Sequence, residues 1–309
     1  MKLNKPKFWS TKNNFISFLL LPITLIVFFY IFLRKRFAKP IKFNIPIICV
    51  GNIYIGGTGK TPIAILLANE IKKLGRNPSI IRKFYKDHSD EHNLIKENFG
   101  HLILGKNRSE CIRQAEKENY DIAILDDGLQ DYKIKKDINI VCFNQKQLIG
   151  NGLILPAGPL RENLSSLKSA NIILINGKKD SSFEKKILQI NKNLEIFYSY
   201  YKPINLEQFK NKKLLALAGI GNPENFFQLI EDNGLNVVKK LVFPDHYHFT
   251  KTEIEGISKE AKVNNYKIIM TEKDFFKIKK FNLIDIEYLK VVLEINKKNN
   301  LIDIINKSI

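Results

Sequence analysis

A glycine-rich loop between two apolar segments is the feature that most constrains this chain. The apolar run at 46–50 predicts a buried strand, and the stretch that starts at Ile63 predicts a helix. Glycines let backbone N–H groups turn toward a polyphosphate, and the N-terminus of a helix adds partial positive charge. The sequence therefore predicts a loop that binds a nucleoside triphosphate, formed by Ile55, Gly56, Gly57, Thr58, Gly59, Lys60, Thr61 and Pro62.

Two residues of this loop have predicted roles of their own. Lys60 is expected to reach the β- and γ-phosphates, and the Thr61 hydroxyl is expected to ligate Mg²⁺. The loop is a variant, because the usual spacing puts its first glycine where this chain has Tyr54. A glycine turn that only caps a helix is the alternative, and the strand before the loop and the helix after it argue against that alternative.

Two carboxylates follow another predicted strand. Residues 122–125 are apolar, and Asp126 and Asp127 come directly after them. The carboxyl end of a buried strand is where enzymes with such a loop place the partner of Mg²⁺. Asp126 is the better metal candidate, with Asp127 beside the metal or the substrate. A solvated turn is the alternative interpretation of the pair.

Two later loops contain candidate catalytic groups. Arg161 ends the segment 150–161, which is rich in proline and glycine. This arginine is a candidate brace for a transferring phosphoryl group or an anionic substrate, and a surface salt bridge is the equal alternative. His246 follows Asp245, and an Asp-His pair on a loop is an acid/base candidate because imidazole takes up a proton near neutral pH.

The order of strand-like and helix-like segments predicts an α/β fold. Near-continuous apolar strands that alternate with helices indicate a P-loop NTPase-like parallel sheet with both faces covered. A second, smaller α/β domain is expected after Pro203, and it includes a single strand over 288–295. The predicted domains are a membrane-associated helix at 1–42, a nucleotide-binding core at 43–203 and the smaller domain at 204–309.

The N-terminal segment predicts a hydrophobic membrane helix. Residues 15–33 contain no charged side chain, and the stretch is close to the ~20 residues that cross a bilayer as a helix. A helix lying in the membrane plane is the alternative. No Asp or Glu precedes Glu70, and Arg34, Lys35 and Arg36 follow the apolar run, so attraction to anionic lipid headgroups is expected. The formal net charge of +19 is also typical of proteins that bind nucleic acid. No nucleic-acid-binding motif is evident, so nucleic acid is not expected as a partner.

Taken together, these motifs resemble the tetraacyldisaccharide 4'-kinase family, the lipid A 4'-kinases of Gram-negative bacteria. The resemblance runs in order along nearly the whole chain. The blocks that match are 50–52 with 57–62, 126–130, 155–162, 218–223, 243–246 and 271–274.

The resemblance implies an ATP- and Mg²⁺-dependent lipid kinase. Such an enzyme transfers the γ-phosphate to the 4'-hydroxyl of an acylated glucosamine disaccharide 1-phosphate, at the cytoplasmic face of the bacterial inner membrane. It also implies that Asp90 is the candidate base, with His246 as its partner. The oligomeric state does not follow from the sequence.

The chain departs from the family pattern in three places. Lys83-Phe84-Tyr85 stands for Arg-Gly-Tyr, Ser89 for a glycine, and Asp131 for a histidine. A kinase retuned to another substrate, or an inactive one, is therefore one alternative. The other is a membrane-bound P-loop ATPase or switch that acts on a protein partner.

Overall fold

The chain folds into two compact units. The computed structural model describes residues 6–85, 89–245, 247–282 and 286–309, except for the side chain of Asp90. The larger unit comprises Lys5–Phe84, Asn98–Tyr200 and Ile295–Ile309, and the smaller comprises Tyr85–Glu97 and Tyr201–Glu294. The domain bounds at 1–42, 43–203 and 204–309 stay a prediction.

The described residues form α-helices and β-strands that alternate along most of the chain. The strands are β1 (Ile47–Gly51), β2 (Pro78–Lys83), β3 (Leu102–Gly105), β4 (Ile122–Asp126), β5 (Ile138–Asn144), β6 (Ile172–Asn176), β7 (Glu195–Pro203), β8 (Leu214–Ala218), β9 (Val237–Val242), β10 (Lys267–Thr271), β11 (Ile286–Leu289) and β12 (Val291–Ile295). The helices are α1 (Phe15–Leu19), α2 (Leu21–Arg36), α3 (Lys60–Lys73), α4 (Ser89–Asn98), α5 (Arg108–Lys117), α6 (Ser181–Leu188), α7 (Pro223–Asp232), α8 (Lys251–Val263), α9 (Glu272–Ile278) and α10 (Lys298–Ser308).

Parallel pairing dominates both sheets, which confirms the predicted α/β class. In the large sheet the strand order is β12-β7-β6-β5-β1-β4-β2-β3, and the pairs from β7 to β3 are parallel. The sheet of the smaller unit has the order β11-β10-β8-β9 and is parallel. Strands β1 and β4 are buried along their whole length, as expected for a sheet with helices on both faces.

The strand order changes direction at β1, and this places the site. The chain runs from β1 through α3 to β2, yet β4 lies between β1 and β2, and β5 lies on the other side of β1. Ligands of open parallel sheets bind outside the carboxyl ends of the strands at such a switch point.

Part of the C-terminal prediction was wrong. The single strand expected over 288–295 is two strands, β11 and β12, separated at Lys290. The Lys290 N–H donates to Oδ1 of Asn205 (2.7 Å), and the Asn205 amide donates to the Tyr288 carbonyl oxygen (2.9 Å). These side-chain bonds take backbone groups out of the ladder, and an apolar run cannot show such competition.

The predicted membrane-spanning helix is not found. Residues 15–33 form two helices, α1 and α2, which meet at Leu20. Pro22 lies in the first turn of α2, where a proline fits, and it has no N–H to continue α1. Helix α2 has 16 residues, and within the described parts of the chain no helix is both long and apolar enough to cross a bilayer.

A buried acid organises the carboxyl ends of β8 and β10 in the smaller unit. Asp274 is fully buried and accepts hydrogen bonds from the Gly219 N–H (2.7 Å), the Thr271 hydroxyl (2.7 Å) and the Lys277 ammonium (2.6 Å). A buried charge needs such partners to offset the loss of hydration.

We expect Asp274→Asn to destabilise the protein by about 2–4 kcal/mol, because the amide nitrogen cannot accept the bonds that one carboxylate oxygen accepts. Urea denaturation would measure the change. Asp232→Asn, which removes an exposed carboxylate from the same unit, should stay within about 0.5 kcal/mol of wild type. Equal stabilities of the two variants would contradict the assigned role of Asp274.

Candidate active site

The glycine loop joins the buried strand β1 to helix α3, as predicted. Gly59 is the N-cap of α3 and has φ +78°, a left-handed conformation that favours glycine. Because Gly59 has no side chain to cap the helix, the first N–H groups of α3 stay available to an anion. The helix begins at Lys60, so Lys60 and Thr61 lie in its first turn.

Two buried side chains brace the loop and account for its variant spacing. Asn52 is fully buried, and its amide donates to the Gly56 carbonyl oxygen (3.3 Å) and to the Thr58 hydroxyl (3.4 Å). Tyr54, at the place of the expected glycine, is also fully buried, and its hydroxyl accepts from the Asn144 N–H (2.7 Å). Tyr54 is therefore a core residue that anchors the start of the loop to the end of β5.

Thr61 and Asp126 meet at the carboxyl ends of the strands. The Thr61 hydroxyl donates to Oδ2 of Asp126 (2.9 Å), and Asp126 is fully buried at the end of β4. Oδ1 of Asp126 is buried without a hydrogen-bond partner among the described residues. A buried carboxylate oxygen of this kind requires an explanation, and a hard divalent cation that takes oxygen ligands fits it.

Arg82 belongs to the same cluster, and sequence reasoning missed it. It lies on β2 opposite Asp126 of β4, and Nη1 of its guanidinium contacts Oδ2 of Asp126 and the Thr61 hydroxyl (3.2 Å). Its side chain is only 7% exposed. The available signal was a charged residue at the end of the apolar run 80–81, since an arginine inside a buried strand needs a charged partner.

Asp127 lies between two cations. Oδ1 of Asp127 is 3.7 Å from Nζ of Lys60 and 3.0 Å from Nη1 of Arg161. Burial by itself would raise the pKa of Asp127, but the charges of Lys60 and Arg161 outweigh it and lower the pKa to about 2. Asp127 therefore stays ionised and holds the two cations close to each other.

Arg161 makes several contacts beside Asp127, and its predicted role toward a phosphoryl group stays a prediction. Besides Asp127, its guanidinium donates to Oε1 of Gln130 (3.3 Å), and its backbone N–H donates to the Ile53 carbonyl oxygen (2.7 Å). A second arginine that sequence reasoning missed, Arg108 at the start of α5, donates to the carbonyl oxygen of Asp127 (2.8 Å). The turn after β4 is thus held through both side chain and backbone.

The predicted base pair falls outside what the structure describes. Asp90 belongs to α4, but its side chain is not described, and His246 lies outside the described residues. In the smaller unit, Nζ of Lys273 is 3.2 Å from Oδ1 of Asp245 and 3.7 Å from Oε1 of Glu91. The roles of Asp90 and His246 stay predictions.

Comparison with known proteins gives one consistent result. A family model described as tetraacyldisaccharide-1-P 4'-kinase matches residues 16–309. The tetraacyldisaccharide 4'-kinase of Pelagibacter ubique (strain HTCC1062) is 42% identical over 308 residues, which cover 97% of this chain and 96% of the relative. The enzyme of the same name from Rickettsia bellii (strain OSU 85-389) is 36% identical over 324 residues, with 99% of each chain covered.

A solved structure supports the fold. The crystal structure of LpxK from Aquifex aeolicus in complex with ATP matches with a TM-score of 0.73, covering 94% of this chain and 99% of the other. Its sequence identity to this chain is 23%, so the likeness shows a shared α/β fold.

We expect Asp127→Asn to remove an acid-sensitive part of the stability. Because the pKa of Asp127 falls from 3.8 to about 2 on folding, its ion pairs stabilise the protein fully above about pH 4. That contribution is lost as the pH falls through about 2.

Urea denaturation should be measured from about pH 6 to about pH 2.5. The urea midpoint of wild type should be higher than that of Asp127→Asn, and the gap between the two midpoints should shrink toward low pH. Asp303→Asn, which removes an exposed carboxylate of the same unit, is the matched control and should show no such gap. A gap between wild type and Asp127→Asn that does not change with pH would contradict the role given to the ion pairs.

Proposed function

The chain belongs to the tetraacyldisaccharide-1-phosphate 4'-kinase family, and from this premise we propose how its residues perform the reaction. It is an ATP-dependent kinase of lipid A biosynthesis. It transfers the γ-phosphate of ATP to the 4'-hydroxyl of tetraacyldisaccharide 1-phosphate, which gives lipid IVA, with ATP and Mg²⁺ as cofactors.

The observation that supports our site assignment best is the contact between Thr61 and the buried Asp126. In our proposal the Thr61 hydroxyl and Oδ1 of Asp126 hold Mg²⁺, with Asp127 next to them. Bound there, Mg²⁺ supplies positive charge that offsets the charge on the β- and γ-phosphates. The loop 55–62 surrounds the phosphates with its backbone N–H groups.

Lys60 and Arg161 supply the remaining positive charge in this proposal. Both contact Asp127, so they lie close enough together to bind oxygens of one phosphoryl group. Phosphoryl transfer needs chiefly positioning and electrostatic stabilisation, which two cations on a braced loop provide. We further propose, from the family resemblance, that Asp90 accepts the proton of the sugar hydroxyl and that His246 assists it.

The exposed side chains of helices α1 and α2 support attachment of the protein to a lipid surface. Their buried residues are the polar Ser17 and Thr24, whereas many of their large apolar side chains are exposed. The Thr24 hydroxyl donates to the Ile154 carbonyl oxygen (3.3 Å), and the Ser17 hydroxyl accepts from the Asn151 amide (3.1 Å). The exposed apolar residues are Phe15, Ile16, Phe18, Leu19, Ile23, Leu25, Ile26, Phe28, Phe29, Tyr30 and Phe32.

An exposed apolar surface of this extent marks a site that contacts a membrane or another protein, and the lipid substrate of the family favours the membrane. We therefore propose that α1 and α2 lie in the plane of the bacterial inner membrane, on its cytoplasmic side. The basic last turn of α2, formed by Arg34, Lys35 and Arg36, adds attraction to anionic headgroups. Attachment to the membrane surface brings the enzyme to a substrate whose acyl chains stay in the bilayer.

We expect Lys60→Ala and Asp126→Ala each to lower phosphate transfer by at least about 100-fold, because each removes charge or metal ligation needed in the transition state. The assay measures labelled γ-phosphate transferred to tetraacyldisaccharide 1-phosphate in mixed micelles. Both variants should bind lipid vesicles as wild type does. Turnover retained in either variant would overturn the site assignment.

The same assay separates the kinase from an ATPase or switch. A kinase hydrolyses little ATP until the lipid acceptor is present, and then it labels the lipid. ATP hydrolysis by wild type that is independent of acceptor, without labelled lipid, would point to a switch that acts on a protein partner.

We expect Ile26→Asp to weaken binding to vesicles of phosphatidylethanolamine and phosphatidylglycerol by about tenfold or more, because a charge in the apolar interface is costly. Ile26 is 70% exposed on α2. Cosedimentation would measure the change, with Val263→Asp as the control, since Val263 is 85% exposed on α8 of the smaller unit. Equal vesicle binding by the two variants would contradict the membrane attachment proposed for α2.

A further inference from the structure

An ion pair between an exposed lysine and a buried glutamate joins helix α2 to the loop that contains Arg161. Lys35, in the last turn of α2, contacts Oε2 of Glu162 through its ammonium group. Glu162 follows Arg161 directly and is 1% exposed, whereas the side chain of Lys35 is 38% exposed. A carboxylate buried this deeply is retained only with partners that offset its lost hydration, and Lys35 supplies the cation.

From Glu162 a continuous line of polar contacts leads to the phosphate site. Oε1 of Glu162 accepts from the Gln130 amide (2.9 Å), whose own oxygen accepts from Nη1 of Arg161 (3.3 Å). The guanidinium of Arg161 in turn contacts Oδ1 of Asp127 (3.0 Å). All of these residues lie in the larger unit.

Tyr132 gives the same end of α2 a second attachment. Nζ of Lys35 is 5.2 Å from the centre of the Tyr132 ring, and the Arg34 guanidinium is 5.5 Å from it, both within cation–π range. Burial and the nearby Glu162 carboxylate raise the pKa of the Tyr132 hydroxyl. The last turn of α2 is therefore fixed both to Glu162 and to the turn that follows Asp126 and Asp127.

We propose that Lys35 and Glu162 are positioning residues that couple the attachment of α2 to the lipid surface to the placement of Arg161. This inference rests on the function proposed above for Arg161 and for α2. Lys35 holds the Glu162 carboxylate, Glu162 holds the Gln130 amide, and Gln130 holds the arginine that faces the phosphoryl group. Neither Lys35 nor Glu162 contacts the substrate in this scheme. Since polar contacts in a network are coupled, a change at the helix end reaches the arginine.

The test compares Lys35→Met with Lys39→Met in the phosphate-transfer assay on mixed micelles. Both variants remove one positive charge near the same end of α2, and Lys39 is exposed. Any weaker attraction to an anionic surface is therefore common to both and appears in KM for the lipid. We expect only Lys35→Met to lower kcat, by about tenfold or more, because misplacement of a positioned group costs rate. Lys35→Arg, which keeps the charge, should restore most of kcat.

A double-mutant cycle adds a readout that does not depend on lipid binding. Lys35→Met and Glu162→Gln together should lower kcat by much less than the product of their separate effects, because both break one chain of contacts. Thermal denaturation of every variant identifies any loss of kcat that is due to unfolding.

The outcomes separate the two proposals. If wild type transfers no phosphate to the lipid, the proposed function fails, and the coupling fails with it. If wild type is active but Lys35→Met and Lys39→Met have the same kcat, only the coupling is overturned. Multiplicative effects of Lys35→Met and Glu162→Gln would likewise overturn it.

Discussion

The register of the parallel sheet is the constraint on which the site depends. Strand β4 pairs with β1 on one side and β2 on the other, so Asp126 lies opposite Val50 and opposite Arg82. Because parallel strands end at the same edge, the glycine loop after β1, the acid of β4 and the arginine of β2 arrive together. A shift of one residue would turn Asp126 to the other face and separate it from Thr61.

Charge balance then decides what this edge of the sheet can bind. Asp126 is paired with Arg82, and Asp127 is paired with Lys60 and Arg161, so two acids lie among three cations. Removing one partner of a buried ion pair is costly, but replacing a whole pair by apolar residues often costs no stability, because desolvation offsets the Coulomb attraction. A cluster of this composition at a helix N-terminus is better explained by binding of a highly charged group than by stability. A nucleoside triphosphate with its divalent cation is such a group.

The sequence was most informative where one local pattern determines one local structure. A strand, a glycine loop and a helix start are short-range features, so the positions of Gly59, Lys60 and Thr61 followed from the sequence. The contact of Thr61 with Asp126 was predictable as well, since parallel strands bring their carboxyl ends together. Arg82 was missed because its partner is 44 residues away, and nothing in the run 78–83 identifies that partner. Lys290 shows the same limit, since a distant asparagine divides an apolar run into β11 and β12.

The N-terminal segment shows why hydropathy alone predicted a span. The apolar stretch 15–33 satisfies the length criterion, and a window average gives no weight to where its polar residues point. In the structure Ser17 and Thr24 face the protein and most of the large apolar side chains are exposed, although Val27 and Ile31 pack against the core. A helix on a globular domain usually shows the opposite arrangement. A hydrogen bond that Thr24 donates to Ile154 and one that Ser17 accepts from Asn151 attach the helices to segment 151–154, and Lys35 attaches the end of α2 to Glu162. A spanning helix would have to give up these contacts, whereas a helix lying on the lipid surface keeps them. The protein-facing polar groups and the exposed apolar groups therefore support the in-plane arrangement that we propose for α1 and α2.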